Sequence, residues 1–150
     1  MEKIINSVEE MMKLWYELAI WWHHKVLLYG DLWAGKTHFT KWWVMGLDDK
    51  KAEDDKKSNT INHEIIKHNV NSPTYTYYQK YGDILHIDMY RLAEYSDLIS
   101  KWILDQITDH EYMAIERPRH ESAYIDKSFT KIYIDKIDEE SRMIRIEKWK

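Results

Sequence analysis

A chain of 150 residues with 44% hydrophobic and 32% charged side chains has a globular composition and the length for one sizeable core. The absence of cysteine excludes disulfides, thiolate metal sites and cysteine nucleophiles. No apolar run approaches the ~18 residues of a membrane helix and Met1–Glu10 holds no signal-peptide core, so a cytoplasmic protein is the simplest reading; a net charge of -4 argues against a chain-wide nucleic-acid trap.

Ser7 followed by Glu10 is a capping box. Val8, Met11, Met12, Trp15, Leu18, Ala19 and Trp22 then recur at helical spacing and predict a first amphipathic helix from about Val8 to Ile20. His23-His24 breaks it. Lys25-Val26-Leu27-Leu28-Tyr29 is a short apolar run of strand type.

Next comes Gly30-Asp31-Leu32-Trp33-Ala34-Gly35-Lys36-Thr37, which fits G-x-x-x-x-G-K-[ST], the phosphate-binding P-loop. The chain has only 4 glycines, and two of them stand at the motif's fixed positions. Phe39, Trp42, Trp43 and Met45 follow at the spacing of a buried helix face. Strand, loop and helix together make a site for anionic phosphate from loop N–H groups and the helix N-terminus. Lys36 is expected to neutralise the β/γ-phosphates and the Thr37 hydroxyl to ligate Mg²⁺. The plain alternative is an anion-binding turn without catalysis.

The second helix begins near Lys36 and is expected to stop at Gly46 as a C-cap. Residues 48–59 form a mixed-charge stretch with nothing to bury, read as a mobile surface insertion, with a short helix over about Ile61 to His68. Pro73 stiffens the entry into a strand over Tyr75 to Tyr81, and Thr74 or Thr76 is a candidate to face a γ-phosphate. Gly82-Asp83 turns the chain into a strand over Ile84 to Tyr90. Ala93 to Ile107 is helix-like, with Leu98, Trp102, Ile103 and Ile107 on one face. Tyr112 to Glu116 is a buried strand, and Thr130–Ile137 with Met143–Trp149 form a hairpin. The basic residues of this last stretch alternate with acids, as on a solvated strand face. The 8 Trp and 11 Tyr are read as core and rim packing.

A P-loop needs carboxylates to hold Mg²⁺ and orient a water. Asp88 and Glu116 end two of the strands, where open α/β sheets bind ligands. Taken singly, Asp88 reads equally well as an ion-pair partner of Arg91 or as a turn contact, and Glu116 as a solvated strand end. His23-His24 and His63/His68 lack the spacing of a metal site. The whole is read as α/β, a P-loop NTPase-like three-layer sandwich with a mixed, partly antiparallel sheet, one ATPase domain over residues 1–150.

Four blocks in order carry a resemblance: Gly-Asp-Leu-x-Ala-Gly-Lys-Thr, Asn-Ser-Pro-Thr-Tyr-Thr, His-Ile-Asp-Met-Tyr-Arg-Leu and Ile-Glu-x-Pro. They resemble the TsaE family, small bacterial ATPases of tRNA threonylcarbamoyladenosine biosynthesis. The resemblance implies a cytoplasmic ATPase that takes ATP, ADP and Mg²⁺ and works with TsaD and TsaB proteins, which meet the tRNA directly. By resemblance Lys36 and Thr37 are the phosphate lysine and Mg²⁺ threonine, Asp88 and Glu116 the strand-end acids on the Mg²⁺ side, and Arg142 an arginine that approaches the nucleotide. The loop residues Gly30, Asp31, Trp33, Ala34 and Gly35 join them at the nucleotide, with His38, Thr74 and Arg119.

The chain departs from the family in places. Trp33 stands where the family has glycine; a bulky residue at φ > 0 costs roughly 1–2 kcal/mol, and the ring either occludes the phosphates or stacks on a base. Arg117 replaces a tryptophan, and Arg119 an acid or amide; these cations either strengthen phosphate binding or spoil a packed wall. His38 replaces a hydroxyl residue and reads equally as a phosphate contact or a helix-surface histidine. Two further function classes stay open: a nucleotide-binding interaction protein with little hydrolysis, and a small-molecule kinase, disfavoured by the lack of an arginine-rich lid.

Overall fold

Strands buried on both faces need helices on both sides, and this chain supplies them. The computed structural model describes residues 1–21, 23–55 and 69–148. The strands are β1 (Glu2–Ile5), β2 (Lys25–Tyr29), β3 (Tyr78–Tyr81), β4 (Ile84–Asp88), β5 (Tyr112–Glu116), β6 (Phe129–Lys136) and β7 (Arg142–Lys148). The helices are α1 (Val8–Ile20), α2 (Lys36–Asp55), α3 (Tyr95–Ser100) and α4 (Ile103–Asp109). The strands form one 7-stranded sheet in the order β1-β7-β6-β2-β5-β4-β3. β6, β2, β5 and β4 run parallel, whereas β1, β7 and β3 pair antiparallel at the margins.

Alternate side chains divide the core into two layers. Val26, Leu28, Ala114, Ile132 and Ile144 pack against Trp15, Phe39, Trp43 and Leu47 of α1 and α2. Leu27, Leu85, Ile87, Met113 and Ile115 pack against Leu98, Ile103 and Ile107 of α3 and α4. This is the expected three-layer sandwich with a mixed sheet. Its parallel register sets Leu28 beside Glu116, and Glu116 beside Asp88, at the carboxyl ends of β2, β5 and β4.

Helix α1 has the expected span. Ser7 Oγ accepts the Glu10 N–H at 3.1 Å, while Glu10 Oε2 reaches back to the Asn6 N–H, one residue before the cap. Val8 is 53% exposed and does not join the buried face.

Helix α2 corrects two expectations. It does not end at Gly46, and residues 48–55 are helical rather than a mobile insertion. A Cβ on Gly46 would lie 2.8 Å from the Tyr16 carbonyl oxygen and 2.9 Å from Ala19 Cβ, so this glycine is where α1 and α2 touch. The charged run beyond it has partners. Tyr16 Oη donates to Asp49 at 2.6 Å, Lys50 pairs with Asp54 one turn on, and Lys51 bonds Asp83 and lies over the Tyr112 ring. Residues 56–59, the helix expected over Ile61–His68, Trp22 and Trp149 lie outside the described residues.

Three other elements differ from expectation. β3 starts only at Tyr78, after a turn in which Tyr77 takes φ 67°. The helix expected over Ala93–Ile107 is two helices. Trp102, at φ 60° and 69% exposed, breaks it and re-aims Ile103 and Ile107 into the core. β1 was not anticipated, because only Ile5 of its residues is buried. Pairing with β7 and the Met1 ammonium on the Ile146 carbonyl, 2.9 Å, hold it to the sheet edge.

His23 links three elements. Its carbonyl accepts from Trp43 Nε1 at 2.8 Å and its Nδ1 meets Thr130 Oγ1 at 2.9 Å. Burial, helped by nearby Lys148 and His24, lowers its pKa from 6.5 to about 4.

Two outcomes follow. Helix propensity alone gives Gly46→Ala a gain of about 1 kcal/mol, whereas the α1–α2 contact predicts a loss of roughly 1–3 kcal/mol; urea unfolding decides by the sign. For His23, the unfolded chain holds the extra proton between pH 6.5 and about 4. Its stabilisation is therefore complete above pH 6.5 and is lost as pH falls through that window, by roughly 3 kcal/mol at the acid end. His23→Asn should flatten the urea midpoint against pH there; parallel curves for the two proteins would contradict the assignment.

Candidate functional site

The turn after β2 is built on backbone that side chains resist. Gly30 sits at φ 150°, and a Cβ there would come within 2.4 Å of the Ile134 carbonyl oxygen. Gly35, at φ 114°, has open space around it, so conformation alone demands glycine. Trp33 adopts φ 66°, the strained state anticipated for it. Its ring is 82% exposed at the cleft edge, so it does not fill the loop's hollow. The Ala34 carbonyl accepts from Arg142 Nε at 3.0 Å. Arg142 Nη1 donates to the carbonyls of Asp138 and Ser141 at 2.7 and 2.9 Å. The structure thus ties Arg142, which also borders the cleft, to backbone carbonyls as a brace between the loop and the β6–β7 turn.

Lys36 folds back into the loop. Its Nζ donates to the carbonyls of Gly30 and Asp31 at 2.6 and 2.7 Å. Burial pushes the ammonium's pKa below the ordinary lysine value; Glu116 and Asp88 oppose the shift and Arg117 adds to it. The N–H groups of the first turn of α2 have no carbonyl one turn back, and Phe39 N–H bonds the Gly35 carbonyl. Thr37 Oγ1 donates to Glu116 Oε1 at 3.2 Å. Glu116 is 2% exposed, and its Oε1 also meets His86 Nε2 at 2.8 Å. His38 is exposed on the first turn of α2, at the cleft.

Asp88 lies elsewhere than its reading as a cation ligand implies. It is fully buried and does not border the cleft. Its Oδ1 accepts from Arg117 Nε and the Tyr90 N–H, each at 3.0 Å. Its Oδ2 accepts from Ser72 and Thr74 hydroxyls, each at 2.7 Å, and from Arg117 Nη2. Burial disfavours the charge, but the bonds from Arg117, Ser72, Thr74 and Tyr90 outweigh it and hold the carboxyl below its ordinary pKa. The ion-pair partner is Arg117, stacked on the Tyr90 ring at 4.4 Å, whereas Arg91 lies over Tyr75. Thr74 borders the cleft with its hydroxyl turned to Asp88; Thr76 is exposed and Arg119 exposed, neither bordering the cleft.

The cleft encloses about 560 Å³. Its lining combines the loop with Lys36, Thr37 and Glu116 and the apolar side chains of Met11, Met12, Trp15 and Trp42 from α1 and α2. That combination suits a ligand with an anionic part and an apolar part. Sequence reasoning missed His86 and Ser72 as members of the site. The signal for His86 was a histidine two residues before Asp88, hence on the same face of an otherwise apolar strand.

Because the Trp33 ring buries little, Trp33→Gly should stabilise the protein by about 1 kcal/mol through relief of the left-handed backbone, offset in part by glycine's unfolded-state entropy. A lower urea midpoint in the variant would contradict the strain assignment.

Residues 5–144 match the family described as threonylcarbamoyl adenosine biosynthesis protein TsaE. The chain is 31% identical over 135 residues to the Haemophilus influenzae tRNA threonylcarbamoyladenosine biosynthesis protein TsaE, covering 87% of this chain and 72% of that protein. Its fold is similar to the crystal structure of Bacillus subtilis YdiB, with a TM-score of 0.56 at 21% identity over 96% of this chain and 82% of that one. With the loop, the sheet order and these likenesses together, the chain belongs to the TsaE family of threonylcarbamoyladenosine biosynthesis.

Proposed function

We propose that the protein binds ATP with Mg²⁺ at the Gly30–Thr37 loop and hydrolyses it, as the ATPase component of the tRNA threonylcarbamoyladenosine machinery. In this reading hydrolysis resets or activates a cytoplasmic complex of TsaD- and TsaB-like proteins, and tRNA is engaged through them. ADP is the product that must leave. Among the described residues no helix is long and apolar enough to cross a membrane.

One observation carries the reading: a buried ammonium held inside a glycine loop, beside a hydroxyl–carboxylate pair. The residues fit the ligand. The Lys36 carbonyl bonds are ones that phosphate oxygens can replace with full charge complementarity. Thr37 and Glu116 offer the hard oxygen donors that Mg²⁺ prefers. Bound Mg²⁺ supplies charge neutralisation at the phosphates. The chain's own parts have distinct tasks. Lys36 and the first-turn N–H groups bind the β/γ-phosphates. Arg142 keeps Ala34 in place, so the loop holds its shape. Glu116 orients the attacking water, and the Asp88–Arg117 pair fixes Thr74 at the cleft wall.

Trp33 at positive φ and Arg117 committed to Asp88 favour a second reading, nucleotide binding with little hydrolysis. Phosphate release from Mg·ATP, alone and with TsaD- and TsaB-like proteins, separates the two. The first reading predicts turnover that rises with the partners. It also predicts that Glu116→Ala retains ATP affinity while losing turnover by about 10²-fold or more. Turnover surviving in Glu116→Ala would remove the role given to Glu116, and binding without turnover in the full mixture would establish the second reading.

A further inference from the structure

His86 sits on β4 between Gln79 of β3 and Ala114 of β5, and is 0% exposed. It shares a face with Asp88 two residues on, and its Nε2 meets Glu116 Oε1 at 2.8 Å. Thr37 already donates to that same oxygen, so Oε1 is the acceptor and the facing ring nitrogen carries the proton. The other ring nitrogen, Nδ1, is then a bare acceptor, and it is buried without a hydrogen-bond partner. A buried acceptor without a partner destabilises. Packing alone would be served better by an apolar side chain, so the imidazole's place is explained by its Nε2 partner.

Among the described residues, both hydrogen bonds to the Glu116 carboxylate go to Oε1. Glu116 borders the cleft, and its second oxygen is left for what enters there. A cation bound there would take an oxygen lone pair of Thr37, and His86 would be the second, independent contact that holds the Glu116 carboxylate.

We infer that His86 is a positioning residue: through Nε2–H it anchors Glu116 by one oxygen and so presents the other to the metal-bound phosphate end of the cleft. The inference rests on the nucleotide reading above and adds to it the group that aims Glu116. It acts through Glu116 and touches no substrate.

Three variants test reach rather than polarity. Glutamine places an amide N–H near the Nε2 position, asparagine places it near Nδ1 and out of reach of Glu116, and leucine removes it. ATP affinity is measured by calorimetry with and without Mg²⁺, and phosphate release is followed in parallel, with circular dichroism and thermal melting as the check on folding. His86→Leu and His86→Asn should bind metal-free ATP within about twofold of the parent, since Lys36 and the loop are untouched. They should lose the Mg²⁺ enhancement of binding and about tenfold or more of the turnover. His86→Gln should recover most of both. If the leucine variant does not fold, the glutamine–asparagine pair decides. Equal Mg²⁺ enhancement in the parent and His86→Asn, or no recovery in His86→Gln, would overturn the inference while leaving the nucleotide reading intact. A parent protein that binds no ATP under either condition would overturn both.

Discussion

The site depends on one buried positive charge. The Lys36 ammonium has little solvent, and an unpaired ion in such a place costs several kcal/mol. Two loop carbonyls at 2.6 and 2.7 Å compensate it. For both to face inward, the chain must turn at Gly30 and Gly35 through backbone that other residues resist. The loop's shape and the lysine's place therefore require each other. The ammonium's bonds to these carbonyls are already charge-assisted, and a phosphate would bring full negative charge where the carbonyls bring partial charge. Arg142, bonded to the Ala34 carbonyl, braces the loop in its form.

The sheet supplies the other half. Parallel pairing of β2 with β5, and of β5 with β4, brings Thr37, Glu116 and His86 to one edge without any contact in sequence. An antiparallel arrangement would have put Glu116 at the far end. The acids on these neighbouring strands then diverge by partner. Glu116 meets a hydroxyl and an imidazole at the cleft, whereas Asp88 is locked to an arginine and two hydroxyls behind it. Two carboxylates of equal position thus differ in surroundings, one bordering the cleft and one bound behind its wall. Helices α1 and α2, which approach closely at Gly46, both contribute apolar side chains to the cleft, Met11 and Met12 from one and Trp42 from the other.

Much of this was legible in the sequence because local signals carried it. The capping serine, the apolar strands and the glycine loop each encode their own geometry, and the family resemblance set the order. What was not legible depended on contacts across the fold. Gly46 reads as a helix stop on propensity, but its lack of a Cβ serves a neighbouring helix. Asp49, Lys50 and Lys51 look like loop charges until Tyr16, Asp54 and Asp83 stand opposite them. Trp102 fits the apolar stripe by spacing, yet takes a left-handed backbone and faces solvent. Arg117 reads in sequence either as a cation that strengthens phosphate binding or as one that spoils a packed wall, and only the fold reveals that Asp88 holds it. His86 was visible as a residue of a motif, but its bond to Glu116 spans two strands.

Calorimetric titration with Mg·ATP, beside Lys36→Ala in the same buffer, tests the central claim that the Lys36 loop is built to take phosphate. The account predicts saturable one-site binding that disappears in the variant. Absence of binding in the parent, or equal binding in both, would contradict it, since the buried ammonium would then serve the loop's own structure and nothing else.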